Sequence, residues 1–296
     1  MIRVKGYHMR NLYFLFLAVF AAVPASAYKY QTIQYPGATH TYITGINAYG
    51  VVTGYYIDPS TGKANGFFEH GGVYKPISIP GTTDSWLTGV NDKEQLCGYY
   101  DATVSNLPVT EGFELQGTKL SPFHVKSTKA TYAESINNSG QIAGYANMGT
   151  TGAPVYEGFI RQSSGTDALL SVPGQSSTWA IGINKSGEVV GFAGANLNAG
   201  TPVVGFLYTA GAFTTASAPG AVQTRFYGIN DSGDAVGFTA DVNGNPTGFT
   251  YLNGTFTPFT IPGYLYTIPQ AINNYGVIVG YGAPNAATVV GFIAAP

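Results

Sequence analysis

Five residues before a recurring Asn stand Tyr42, Trp86, Tyr132, Trp179, Arg225 and Ile268. Aromatic faces at such a slot can pack on the flat C–H faces of sugar rings. Asp58, Asp84, Asp101 and Asp241 fall in or beside loops expected on the same side, as acceptors for sugar hydroxyls. This set, with Arg225, is the candidate ligand-binding face. Each aromatic also has a plain reading as packing between sheets. Six residues before each Asn comes a hydroxyl (Thr41, Ser85, Thr131, Thr178, Thr224, Thr267), which can equally be a loop cap.

Other chemistry is scarce. The chain has no G-x-S-x-G elbow, no H-E-x-x-H and no phosphate loop. Beyond residue 27 the histidines are His40, His70 and His124, at unlike points of the repeat, so no metal site is assigned. Asp241-Val242-Asn243-Gly244-Asn245 offers alternating oxygen ligands, as calcium loops do. Pro246 stands where such a loop wants Gly and no bidentate Glu follows, so an Asn-Gly hairpin turn is the preferred reading. His40, Asp84, Glu134 and Arg225 supply the asymmetry an enzyme would need. A glycosidase would require two carboxylates about 5–10 Å apart. No catalytic residue and no cofactor is assigned.

What positions these residues is a repeat. Asn47, Asn91, Asn137, Asn184, Asn230 and Asn273 follow one another at 44, 46, 47, 46 and 43 residues, each preceded by Ile or Val. Gly stands three residues later in five copies, and Glu94 in the second. Asn folds its side chain over such a turn and Gly supplies the positive φ that closes it. A strand ending in Gly-aromatic follows, from Gly54-Tyr55 to Gly280-Tyr281. After a polar loop, a third strand opens with Gly-Phe, from Gly66-Phe67 to Gly291-Phe292. There Gly would let a neighbouring sheet approach while Phe fills the space between. A fourth strand ends in Pro-Gly, as at Pro80-Gly81.

Four short strands in about 45 residues is one propeller blade. The last copy stops before its fourth strand, while Tyr30 to Gly37 is a fourth strand with no blade before it, matching Phe256 to Gly263 in spacing. The expectation is an all-β, six-bladed β-propeller over residues 28–296, closed by the N-terminal strand joining the last blade.

This repeat resembles the HAF-type extracellular repeat of bacterial secreted proteins, named for a His-Ala-Phe triplet after its Gly-Ile-Asn and Val-Val-Gly phrases. Phe is kept six times, Gly replaces Ala, and no copy has the His; Asn65, Glu111, Glu157, Val204, Thr247 and Val290 hold that place. The resemblance covers the chain after residue 27. It implies an exported repeat protein and carries over no catalytic residue.

Residues 1–27 read as an export leader: Arg3, Lys5 and Arg10, an apolar run from Leu12 to Val23, then Ala25-Ser26-Ala27. The chain is expected to be secreted, or periplasmic, after cleavage near Ala27, with no membrane attachment afterwards. Losing those three cations takes the net charge from −2 to −5. Only 9% of residues are charged, against roughly a quarter in average domains, and no basic stripe exists to meet nucleic acid. The single cysteine, Cys97, reads as a buried apolar group. A monomer that binds extracellular polysaccharide or cell-surface glycan is the leading reading. A structural or adhesive ring comes next, and a propeller glycosidase or polysaccharide lyase third.

Overall fold

The computed structural model describes residues 28–104, 107–150 and 152–296. The expected leader, residues 1–27, lies outside the described residues. Among the described residues no helix is long and apolar enough to cross a membrane. In the first repeat the strands are β2 (Thr41–Ile46), β3 (Val52–Ile57), β4 (Ala64–His70) and β5 (Val73–Pro76), after β1 (Lys29–Ile33). The second has β6 (Thr82–Val90), β7 (Gln95–Val104), β8 (Leu107–Gln116) and β9 (Lys119–Phe123). The third has β10 (Thr131–Ile136), β11 (Ile142–Asn147), β12 (Tyr156–Arg161) and β13 (Asp167–Leu170). The fourth has β14 (Ser177–Ile183), β15 (Val189–Gly194), β16 (Val203–Thr209) and β17 (Ala212–Ala216). The fifth has β18 (Gln223–Ile229), β19 (Ala235–Ala240), β20 (Pro246–Leu252) and β21 (Thr255–Pro258). The last has β22 (Tyr266–Ile272), β23 (Ile278–Asn285) and β24 (Thr288–Ala295).

These strands form an all-β propeller. Consecutive strands of a repeat pair antiparallel, and the first strand of each repeat packs on that of the next, with β22 meeting β2. The fourth place in the last sheet is taken by β1, which pairs β24 from Lys29↔Ala295 to Ile33↔Gly291. One expectation needs correction. Hydrogen bonding gives four separate four-stranded blades and one eight-stranded sheet, not six separate sheets. The fourth and fifth repeats are joined by a single parallel pair, Val203↔Gln223. Its cause is local: Gln223 donates from Nε2 to the carbonyls of Asn198 and Thr201, drawing the loop before β16 onto β18. Comparable parallel bridges, His40↔Val289 and Thr110↔Ala130, lie outside the ladders of other seams.

The repeated glycines answer to backbone contacts. A Cβ on Gly54, Gly98, Gly144, Gly191, Gly237 or Gly280 would stand 2.0–2.1 Å from the carbonyl oxygen of the residue five before the Asn. No side chain fits there. The Gly-Phe glycines meet the next repeat, as where Gly158 faces Ala180 Cβ at 3.0 Å, and their Phe partners are buried between sheets.

Each Asn is both turn and clasp. In the third repeat Asn137 Oδ1 accepts from the Ser139 and Gln141 amides, while Nδ2 donates to the Asn184 carbonyl at 2.9 Å. The same side-chain-to-backbone bond runs from Asn47 to Asn91, Asn91 to Asn137, Asn184 to Asn230 and Asn230 to Asn273. Asn273 then donates to Asn47 and closes the circle. Where Gly is missing, Glu94 takes φ 56°. A side chain in the left-handed region costs about 1 kcal/mol or more. Glu94→Gly should therefore raise stability by up to about 1 kcal/mol, less the extra freedom glycine has in the unfolded chain. Chemical denaturation measures this, and a destabilised variant would contradict it.

Candidate functional site

The first-to-second-strand hairpin of each repeat carries a bulge. Pairing skips from Ile43 to Gly45, and likewise at Leu87/Gly89, Ala133/Ser135, Ala180/Gly182, Phe226/Gly228 and Pro269/Ala271. A bulge re-aims the residue it leaves unpaired. Here that residue is Thr44, Thr88, Glu134, Ile181, Tyr227 or Gln270, and all six line the central channel. Its cavity of about 90 Å³ has room for only a few waters. Glu134 is the one carboxylate among the lining residues, and no lysine or arginine lines it. Burial pushes its pKa from 4.5 up to about 8, the bond from the Tyr145 hydroxyl opposing this in part. The phenols of Tyr99, Tyr145 and Tyr281 are raised well above their usual value, first by burial.

Around the loop-side mouth the aromatics form a belt. The residue five before each Asn is in register with the Gly-aromatic residue of its own repeat, as in Tyr42↔Tyr55 and Trp179↔Phe192. Within repeats the rings stack, at 4.6 Å for Tyr42–Tyr55, 5.0 Å for Trp86–Tyr99, 4.7 Å for Tyr132–Tyr145 and 5.3 Å for Trp179–Phe192. Between repeats they touch, Tyr281–Tyr42 at 4.9 Å and Tyr99–Tyr132 at 5.1 Å among them. Tyr156 bridges Tyr145 to Trp179, and Tyr227 bridges Phe192 to Phe238.

The belt is open at one place, because Arg225 and Ile268 occupy its slots in the fifth and sixth repeats. The opening holds a cavity of about 490 Å³ walled by Arg225, Tyr227, Phe238, Tyr266, Ile268 and Tyr281, with Leu197, Asn243 and Gly244 from the loops above. Arg225 lies over the rings of Phe192 and Phe238, 5.4 and 5.2 Å from their centroids.

The sequence-derived candidates thus divide. Tyr42, Trp86 and Tyr132 are half-buried in the belt, and Trp179 is buried at 4% exposure. Arg225 borders the cavity directly. Asp58 accepts from Ser60 and Thr61 of its own loop, Asp84 from the Ala64 amide, and Asp101 from the Thr110 hydroxyl. Asp241 accepts from the Asn243 and Asn245 amides and from Asn245 Nδ2, forming the hairpin turn. Five of the six hydroxyls six before the Asn accept an amide six residues upstream, for example Tyr35 N to Thr41 at 3.0 Å, which is the loop-cap role. Ser85 instead accepts from Gly66. Cys97 is fully buried and its thiol pKa is raised by burial. Sequence reasoning missed the channel position and the cavity residues Tyr266 and Tyr281. The available signal was the slot three before each Asn, whose residue type changes from copy to copy.

No protein-family model matches the chain, and no curated protein matches its sequence. Solved structures do share the fold. A triple-arginine mutant of AofleA from Arthrobotrys oligospora superposes with a TM-score of 0.54 at 11% identity, over 90% of this chain and 86% of that one. The gluconolactonase from Xanthomonas campestris gives 0.53 at 10% identity, over 92% and 91%. The fucose-recognising fungal lectin of Aleuria aurantia, a six-bladed β-propeller, gives 0.50 at 12%, over 90% and 92%. At these identities the likeness concerns fold alone.

Proposed function

We propose that this chain is an exported six-bladed β-propeller of the HAF-repeat type that binds carbohydrate at its loop face. The blade count takes the eight-stranded sheet as two blades meeting at the one pair Val203↔Gln223. The observation that carries the binding reading is the cavity at the gap in the aromatic belt, where Tyr266, Tyr281 and Phe238 present ring surface beside polar groups from Arg225 and Asn243. Concave aromatic walls with a few convergent polar groups are what small ligands use. Propellers of like fold include one that recognises fucose and one that is a gluconolactonase. A single carboxylate in the inner channel, and none lining the cavity at the belt's gap, favours binding over two-carboxylate hydrolysis.

A glycan array followed by calorimetry tests this. Tyr266→Ala is expected to weaken binding at least about tenfold, the effect of losing roughly 1.4 kcal/mol of contact. Trp179→Ala, whose ring is buried in the belt, should lower stability instead. Absence of any glycan binding, or binding indifferent to Tyr266→Ala, would remove the reading.

A further inference from the structure

We infer that the cavity beside Arg225 selects a carboxylate-bearing sugar, a hexuronate unit of an acidic polysaccharide; this deepens the glycan reading above and rests on it. Arg225 is half-buried, yet no carboxylate among the described residues pairs with it. Among the described residues the ion pairs are Arg161–Asp167 and Lys185–Asp231. No Asp, Glu or Lys lines the cavity. An unpaired guanidinium removed from water is costly, and evident pairing groups were available to a chain with more acids than bases.

The guanidinium is also held in place. Nη2 donates to the Leu197 carbonyl at 3.3 Å and to Gln223 Oε1 at 2.5 Å, while the Phe192 and Phe238 rings flank it. Nε is buried without a hydrogen-bond partner. With Nη2 engaged and Nε enclosed, Nη1 is the nitrogen left to bond a ligand acceptor, and a fixed positive charge there suits a carboxylate oxygen. One cation suits a monoanion better than a phosphate dianion. The remaining wall is ring carbon from Tyr266, Tyr281 and Phe238 with Ile268, suited to the C–H face of a pyranose, and 490 Å³ lies in the range of small-ligand pockets. The ligand so defined is a flat, hydroxylated ring carrying one carboxylate.

The test needs pairs of ligands that differ only in charge. Short oligomers of galacturonate, glucuronate and mannuronate are titrated calorimetrically into the intact protein beside their neutral methyl esters. At least one free acid should bind about tenfold or more tighter than its ester, and rising salt should shrink the difference. Arg225→Gln should erase the preference, and Arg225→Lys should keep part of it, having the charge without the guanidinium's fixed placement. Acid and ester binding equally would overturn the carboxylate assignment and leave the glycan reading standing. So would a preference that survives Arg225→Gln. A sulfated oligosaccharide binding as tightly as the uronate would assign the site to anions generally and defeat the proposal. If no glycan binds, both readings fall. Should Arg225→Gln not fold, the acid-against-ester comparison and its salt dependence in the unaltered protein decide the matter.

Discussion

Glu134→Gln is expected to leave the protein about as stable as the parent near pH 4 and markedly more stable near pH 9. Glu134 sits on the bulge of β10, in a channel with room for only a few waters and with no lysine or arginine among the residues lining it there, and burial pushes its pKa from 4.5 to about 8. Between those two values the folded protein keeps a proton that the unfolded chain releases. Stability therefore falls as pH rises from about 4.5 to about 8, by about 1.4 kcal/mol per unit at the steepest, and is level beyond. Glutamine mimics the protonated carboxyl in shape and cannot ionise, so the variant should lack this slope. By about pH 9 the difference should reach several kcal/mol, on the order of 10 °C in melting temperature. Urea denaturation of both proteins at several pH values measures it. Parallel curves would mean that Glu134 ionises as an ordinary carboxylate in the fold.

How much of this was legible in the sequence follows from what repeats. The Asn-x-x-Gly turns and the Gly-Phe strands recur at fixed spacing, and Tyr30 to Gly37 matches Phe256 to Gly263, so the strand order and the closing role of the N-terminal strand are legible in the sequence. The clasp made by each Asn could not, because the turn uses Oδ1 and the clasp uses Nδ2, and composition reports neither. The bulge is a backbone irregularity with no residue signature of its own. Glu134 was visible only as an odd residue in the repeat, not as a group lining the channel. The loop aspartates looked like free acceptors. In the fold Asp58 and Asp241 are engaged by amides of their own loops, as short polar side chains in turns commonly are. Arg225 lay in the right slot, but its value comes from a missing neighbour: Ile268 where an aromatic would have filled the gap. The joining of the fourth and fifth repeats depends on one glutamine side chain reaching two carbonyls.

Removing residues 28–36 should lower the melting temperature by about 10 °C or more relative to a protein beginning at Tyr28. The deleted stretch supplies β1, the outer strand on β24, and with it the buried side chain of Ile33, 2% exposed. Burial of one such side chain is worth roughly 1.5–3 kcal/mol. Tyr28 and Tyr30 also pack edge-on against Phe259, at 5.4 and 6.3 Å, and Tyr35 stacks on Tyr56 at 3.7 Å. The Tyr35–Tyr56 contact matters most, because Tyr56 belongs to β3 of the first repeat. The segment thus ties the last sheet to the first, the one seam that chain connectivity does not otherwise span. Its loss exposes the hydrogen-bonding edge of β24 and frees the two ends of the ring to separate. A peptide covering residues 28–37 should restore part of the lost stability by pairing with that edge, as strand addition does elsewhere. Melting of the truncated protein within a degree or two of the parent would show that contacts between the inner strands β22 and β2 close the ring unaided.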